Sequence, residues 1–522
     1  MVNTKEIQAN VWENFEVNNT DIDFIFNKLF ETETPSSTND LVTILIQERI
    51  NQEKIRRENI EKSKGDVYLP RDDFQVGQKL VFPALNFKSG EVVDKRMGNN
   101  PEIGEFSIIK VKFDRGLIKE FASNLENHEL NEVNVALNDE SDLEFEAVHS
   151  SYKHEISQLL EDKLQNNQDL VKIAGYWFPR SLLIDINIGY LNLAEAVLEM
   201  ADGGPLTTEN IIEQIELPMD SNMTLTEFSL NLALQEDPRF DEVGPAGETL
   251  WYLNRLEPEN VRSQPKYLQF NIEKSFDNSK YADYLEELSA GIFDELEYSE
   301  VNENVSVRNV NIAIIFPHII TGSLPLSSEL GKLFPTAYES PRIRFTFIDG
   351  DTKEKFAGWV IREHKYVYGL REWYKKNEVL PGSILHIKQG QVPGEVIVST
   401  GKKRPSREWV RTATQNSEGK ISFAMTKQLI STEFDDRMII AISEFDEIKE
   451  LWERYANVPA EKLVLTMVRE LAKLNPQGHV HAQELYAGFN TIKRVSPSYV
   501  LYLLENNSDI EHLGDLYFRI KI

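Results

Sequence analysis

The residues best placed to do chemistry in this chain lie between Asn311 and Arg411. From Pro341 to Arg411 there are fifteen Lys and Arg against eight Asp and Glu, in a chain of 522 residues whose net charge is −29. The inversion is local. Cations interleaved with aromatics are what phosphate contact plus base or sugar packing requires. Trp359 and Tyr366-Val367-Tyr368 flank Arg362, His364 and Lys365. The run Gly401-Lys402-Lys403-Arg404-Pro405-Ser406-Arg407 leaves the window as a Pro- and Gly-bounded basic hook, the composition of an arm that reaches into a groove. Composition alone leaves two readings, a polyanion-binding surface or the ordinary solvated charged face of a barrel, and neither involves bond making. The sequence has no Walker loop, no Gly-x-Ser-x-Gly, no His-Glu-x-x-His and no paired His spacing. His479 and His481 alternate without an obvious third ligand, and Asp349 and Asp351 read as a β-turn rather than a metal site. With no cysteine, a thiol nucleophile, a Cys-ligated zinc and a disulfide framework are excluded. The expectation is a non-enzymatic protein with no cofactor and no metal.

The same window is rich in strand formers. Ile343 to Ile348, Gly358 to Ile361 and Tyr366 to Tyr368 are β-branched and aromatic runs, and Gly350, Gly369, Gly382, Gly390 and Gly394 punctuate them. This reads as a compact barrel or sheet. In order it carries Leu326-Ser327-Ser328-Glu329-Leu330-Gly331-Lys332-Leu333-Phe334-Pro335, then Phe347-Ile348-Asp349-Gly350-Asp351, Trp359, Tyr366-Val367-Tyr368-Gly369-Leu370-Arg371-Glu372-Trp373 and Leu380-Pro381-Gly382-Ser383. That order resembles the B3-type DNA-binding pseudobarrel of plant transcription factors and some restriction-enzyme specificity domains. Ser383 stands where that family has Asp, and its Gly-Trp pair is spread here by inserted residues. The resemblance implies two loops gripping the major groove of duplex DNA, one around Lys332 and one around Arg362, His364 and Lys365. Arg342 and Arg344 alternate with Ile343 and Phe345 and are expected on an ordinary solvated face.

Length and composition frame these residues. The chain is long enough for three to four domains at ~150 residues each. Its hydrophobic content of 41% is enough for real cores. The lack of cysteine fits a reducing cytosol, Met1 to Glu6 does not open a signal peptide, and no run of ~18 apolar residues occurs. A cytoplasmic protein without membrane contact is expected. The pI near 4.8 repels nucleic acid globally, so DNA contact must be local and the remaining surface must serve another partner.

The elements that position the basic window make up an α+β multidomain chain. Residues 1–64 hold two helical stripes, a helix-turn-helix-like start that reads as a DNA reader or a helical docking unit. Residues 65–130 hold short strands around Gly98-Asn99-Asn100-Pro101 and resemble an SH3- or KOW-like small barrel, with Lys95, Arg96, Lys110 and Lys112 as a minor basic patch or, the preferred reading, a solvated face. Residues 131–182 form an acidic helical connector with a loop at Asn138 to Asp142. Residues 183–257 give three helices and a hairpin, a winged helix that looks like the HARE-type domains of the RNA polymerase delta subunit and chromatin-regulator class. Its third helix has no Lys or Arg from Thr224 to Gln235, so it is expected to dock protein rather than enter a groove. Residues 258–306 are an acidic linker, with Asp294-Glu295-Leu296-Glu297 as a solvated helix face. Residues 307–411 are the B3-like barrel. Residues 412–522 repeat the winged pattern, with Lys493 and Arg494 either reaching phosphate or solvating a helix start. The composite expectation is a transcription-associated protein. Its barrel binds duplex DNA, and its acidic winged helices dock RNA polymerase or another basic protein. Two alternatives stay open: an adaptor that never touches DNA, and the specificity component of a restriction or defence system whose nuclease is a separate chain.

Overall fold

Three stretches of the chain fold to one order of elements: helix, two-residue strand, helix, helix, strand, strand. They occur in a computed structural model that describes residues 12, 15–82, 85, 88–98, 105–113, 117–126, 128–131, 144–217, 223–270, 282–297, 307–337 and 339–521. The first repeat runs Asn19–Thr32, Ser36–Ser37, Thr38–Lys64, Phe145–Gln165, Leu170–Ile173 and Tyr176–Pro179. The second runs Ile188–Met200, Leu206–Thr207, Thr208–Ile215, Met223–Glu236, Phe240–Glu242 and Leu250–Leu253. The third runs Ala460–Ala472, Val480–His481, Ala482–Ile492, Pro497–Glu505, Ile510–Gly514 and Tyr517–Ile520.

The same local devices build each copy. The two-residue strand pairs antiparallel with the last strand, setting Ser36 opposite Trp177, Leu206 opposite Trp251 and Val480 opposite Phe518. Each of these aromatics is buried and fills its module's core. The residue that ends the short strand caps the helix after it: Ser37, Thr207 and His481 accept from the amides of Asp40, Asn210 and Gln483. The next residue receives the buried indole, with Trp177 Nε1 donating to Thr38 Oγ1 at 3.0 Å and Trp251 Nε1 to Thr208 Oγ1 at 3.2 Å. The third copy has Ala482 and Phe518 at these places, which leaves no polar atom to satisfy. Asn167, Asp237 and Asn507 repeat a further turn, each accepting from the amide two residues on.

The first copy is interrupted. One core joins Ile25, Leu41 and Leu45 to Val148, Ile156 and Trp177. The expected connector at 131–182 therefore supplies the third helix and two strands of the module begun at 1–64. The apolar stripe of Phe145–Gln165 finds its cover more than a hundred residues back in sequence. The compact unit is Met1–Lys172 with Tyr176–Leu183. Five strands sit in the gap, in the sheet order Asp66–Val67, Lys79–Phe82, Lys88–Met97, Ser107–Phe113, Ile118–Ser123. Tyr68, Phe82, Phe113 and Phe121 pack ring against ring inside. Tyr68 Oη donates to the Ala122 carbonyl at 2.7 Å, bringing the first strand toward the last. Lys95, Arg96 and Lys110 are ion-paired to Asp73, Glu120 and Asp94. Asn99, Asn100 and Pro101 of the expected turn, and the loop Asn138 to Asp142, lie outside the described residues.

The second unit, Ile173–Gly175 with Ile184–Ile522, holds a seven-stranded sheet curled into a half-barrel. Its order is Asn309–Ala313, Ile384–Gln389, Glu395–Ser399, Arg342–Asp349, Lys355–Ile361, Tyr366–Tyr368, Ser323–Pro325. Ile343, Phe345, Phe347, Val367, Leu385 and Val398 fill its inside. Asp349 belongs to a turn, as its sequence suggests: it accepts from the amides of Asp351 and Thr352 and from Trp373 Nε1 at 3.0 Å. Burial would raise its carboxyl, but these donors outweigh burial and hold it below the ordinary range.

The half-barrel ends at Ser399, short of the expected 411. Ser406–Gln415 instead pairs with Ile421–Ile430 as a hairpin, and with Ile440–Ile442, in a separate sheet. Gly382 lets the two sheets meet. Its φ is +91°, and a Cβ there would collide with the backbone of Ile439.

One buried ionic network ties the half-barrel to the third repeat. Arg494 is fully buried and bonds Asp294 Oδ1 at 2.5 Å and Glu295 Oε1 at 2.9 Å. Glu295 reaches His318 Nε2 at 3.1 Å, His318 Nδ1 meets Ser323 Oγ at 2.8 Å, and Tyr486 Oη donates to Asp294. This corrects two expectations. Asp294 and Glu295 are not a solvated helix face, and Arg494 is in no position to reach phosphate. Burial alone would raise the Glu295 carboxyl, but Arg494 and His318 hold it well below the ordinary range. Among the described residues no helix is long and apolar enough to cross a membrane.

Removing one member of a buried pair strands the other charge, which costs about 3–5 kcal/mol. Arg494→Ala should lower stability by that amount in denaturant unfolding of the full chain. Lys449→Ala, which breaks only the exposed pair with Asp446, should cost less than about 0.5 kcal/mol. Equal small losses would show that the network contributes little.

Candidate nucleic-acid interface

The cations of the basic window are mostly committed to the protein itself. Arg342 was expected on a solvated face, yet its Nη1 lies 2.7 Å from Asp241 Oδ2 and 2.8 Å from Glu257 Oε2. Arg344 lies over Trp359, 5.4 Å from the ring centroid, and burial draws it below its usual value. Both belong to a sheet face covered by the second repeat and the segment after it, where Val243, Val261 and Leu268 pack on Trp359, Ile361 and Tyr366. Alternation placed these side chains on the outer face correctly; what it could not show is that another segment covers that face. Elsewhere Lys355 pairs with Glu395, Lys376 with Glu354 and Arg411 with Glu484.

The seven residues expected to contact DNA do not form one surface. Lys332 sits in the turn Leu330–Leu333, half-buried, on a cleft of about 710 Å³ shared with Arg344 and Glu395. Arg362 and Lys365 line a second cleft of about 310 Å³, whose wall includes Glu295 and Glu297. Arg362 also donates through Nη1 to the carbonyls of Ala337 and Ser340. His364 stands parallel to Tyr366, with centroids 6.5 Å apart. Lys402 pairs at 3.2 Å with Asp351, in the turn between the strands Arg342–Asp349 and Lys355–Ile361 and so at the end of that pair opposite to Arg362 and Lys365. Registers run from Arg342 opposite Ile361 to Ile348 opposite Lys355, six steps of about 3.3 Å, so these two ends lie roughly 20 Å apart.

Lys403 and Arg404 are exposed, and the Lys403 amide bonds the Ser431 carbonyl at 2.9 Å. That bond lays the hook beside the hairpin Ser406–Gln415 and Ile421–Ile430. Arg407 stands opposite Leu429 there, and Trp409 opposite Lys427. All four are exposed. Among the described residues, Lys403, Arg404, Arg407 and Lys427 form no ion pair. Sequence reasoning missed this ribbon because the expected barrel boundary at 411 cut through its first strand. The signal was present in the alternation Arg407, Trp409, Arg411 against Met425, Lys427, Leu429.

A second feature of the covered face is its carboxylates. Asp241 and Glu257 share Arg342, and Glu242 accepts from Ser340 Oγ. Burial pushes Asp241 up, pushes Glu242 up to about 7, and with repulsion from Asp241 pushes Glu257 up to about 8. A carboxyl raised in the folded state stabilises it fully below the unfolded value, about 4.3, and loses that contribution as pH rises through the folded value. The contact between residues 239–257 and the half-barrel should therefore loosen between pH about 5 and about 8. The Arg344 amide, bonded to Val243 O at 2.8 Å, reports it. Its hydrogen exchange, corrected for intrinsic rate, should accelerate over this range, and Glu242→Gln with Glu257→Gln should flatten the rise. A flat profile in the unmodified chain would contradict it.

Comparison with protein-family models, with curated proteins and with solved structures finds no match to this chain.

Proposed function

We propose that the chain is a non-catalytic nucleic-acid-binding adaptor whose polyanion contact lies on the hook at Lys403 and Arg404 and on the adjoining ribbon. One observation carries this reading. Lys403, Arg404, Arg407 and Lys427 are exposed and outside any ion pair among the described residues, while most other cations of the basic window are tied to carboxylates or carbonyls. Phosphates need accessible cations, and a chain of net charge −29 must concentrate them to attract nucleic acid at all.

In this reading the three repeats are winged helices, the inserted five-stranded sheet is the SH3- or KOW-like module, and the half-barrel is the B3-like pseudobarrel. The winged helices act as docking surfaces. Their third helices favour that role over groove reading. Phe145–Gln165 exposes Glu146, Glu155 and Asp162 against Lys163. Met223–Glu236 carries no Lys or Arg, and Phe228, Ser229, Leu230 and Asn231 are buried. Pro497–Glu505 is buried along most of its length. An acidic surface of this kind suits a basic protein partner such as RNA polymerase. Duplex DNA is the ligand implied by the B3-like part. The cover over Arg342, Arg344 and Trp359 favours a second reading, an adaptor that uses every module for protein contact.

The test uses the full chain. A fragment cut at 305 and 411 would strip the cover from Trp359 and divide the strand Ser406–Gln415. The triple change Lys403→Ala, Arg404→Ala, Arg407→Ala should weaken binding to mixed-sequence DNA at least about tenfold, about 1.4 kcal/mol. It should also reduce the salt slope by nearly three units if all three cations contact phosphate, since each lost contact removes about 0.9. Arg362→Ala with Lys365→Ala should change affinity only about threefold, because Arg362 is held by carbonyls and its cleft carries carboxylates. No binding at low salt, or no effect of the triple change, would favour the protein-only adaptor.

A further inference from the structure

We propose that Trp409 is a stacking platform for an unpaired base, so that the ligand of the hook and ribbon is single-stranded nucleic acid. This rests on the polyanion reading above and narrows it to one class of ligand.

The ribbon has two faces of opposite character. Its inner face is packed: Val410 and Ile430 meet Ile439 and Ala441, so the strands are held against a core. Its outer face is open at the far end, where Trp409 is 61% and Leu429 65% exposed, and stays partly open as far as Met425, opposite Arg411, at 41%. At the near end Arg411 bonds Glu484 and the carbonyls of Asp436 and Arg437, and Ala413 and Phe423 enter the core. One hairpin is thus anchored at its near end and presents an indole at the other. A large aromatic left in water on an anchored strand loses little conformational entropy when something stacks on it.

The surroundings of the indole select what stacks. Lys427 holds its ammonium 5.2 Å from the Trp409 ring centroid, and Arg407 lies two residues along the same face. The hook places Lys403 and Arg404 at the ribbon's end through the Lys403–Ser431 bond. From Gly401 to Ile430 there are seven Lys and Arg against two Glu, so the patch is cationic in an acidic chain. Cations bordering an exposed aromatic make the arrangement that follows a single strand, with phosphates on the charges and a base on the ring. A duplex does not fit as well: its bases are already stacked on both faces, so the indole would meet only sugar and phosphate. Apolar Leu429 and Met425 extend the surface on which the base and its neighbours can lie.

The experiment measures binding of the full chain to a short labelled oligothymidylate and to a hairpin duplex of matched charge. Trp409→Ala should weaken the single strand about tenfold while leaving the duplex within about twofold. Trp409→Phe should restore most of the loss, because a smaller ring still stacks. The oligothymidylate should quench indole emission, and Trp409→Phe should remove that part of the quenching. Both variants should melt with the unmodified chain, since the side chain is exposed. If Trp409→Ala leaves single-strand affinity unchanged while the hook triple variant loses it, stacking is overturned and the polyanion reading stands. If neither nucleic acid binds, both fall. If polyglutamate displaces the oligothymidylate and is itself weakened by Trp409→Ala, the platform serves an acidic peptide and the proposal is overturned.

Discussion

A guanidinium with no access to water must be fully matched by charge, and in this protein that requirement fixes the second unit. Arg494 is matched by Asp294 and Glu295, which come from a segment nearly two hundred residues earlier in the chain. His318 and Tyr486 satisfy the remaining oxygens. The cost of burying these ions is of several kcal/mol each, and the network is tolerable only when every member is present. The half-barrel and the third repeat therefore share one polar centre as well as one apolar core, in which Ile315 and Phe316 lie with Trp452 and Tyr486. A polar centre of this kind contributes less to net stability than to the uniqueness of the arrangement, because no other packing pairs the same charges.

The same rule governs the basic window. A local excess of Lys and Arg looks like a ligand surface in sequence, but a cation near a carboxylate on a neighbouring element is neutralised before any ligand arrives. Arg342, Arg411 and Lys355 are of this type. What is left for a polyanion is set by which cations lie at the ends of elements and beyond the reach of the acidic modules. Lys403 and Arg404 satisfy this: both are exposed and unpaired among the described residues, whereas Lys402 before them is paired with Asp351 of the half-barrel. Overall charge and the proposed local binding are thus compatible: repulsion from the acidic modules would confine a polyanion to one patch.

Much of the fold was legible in the sequence. The strands of the half-barrel were readable from alternation at Ile343, Phe345 and Phe347, and the mixed α+β character follows from the change of period along the chain. The helices and hairpin of the second repeat were readable from their caps and from Gly244 to Gly247. The first repeat was not, because its third helix lies beyond an inserted sheet and local periodicity carries no information on which distant stripe covers Ile156. Its match to the third copy was visible in Asn166-Asn167 and Asn506-Asn507, but only with the topology in hand. The site was less legible. Exposure of Lys403 and Arg404 followed from the flanking Gly and Pro. The commitment of Arg342 and the opening of Trp409 depend on tertiary cover, which composition does not encode.

The account's central claim is that the hook and ribbon alone hold nucleic acid while the helical repeats do not. Photo-crosslinking of the full chain to an oligonucleotide carrying thiothymidine, followed by mass spectrometry of the adducts, tests it directly. The account predicts adducts confined to peptides from 401–430, with Trp409 among the modified residues. Adducts on Phe145–Gln165 or Met223–Glu236, or on the Arg362 to Lys365 turn with none on the ribbon, would contradict it.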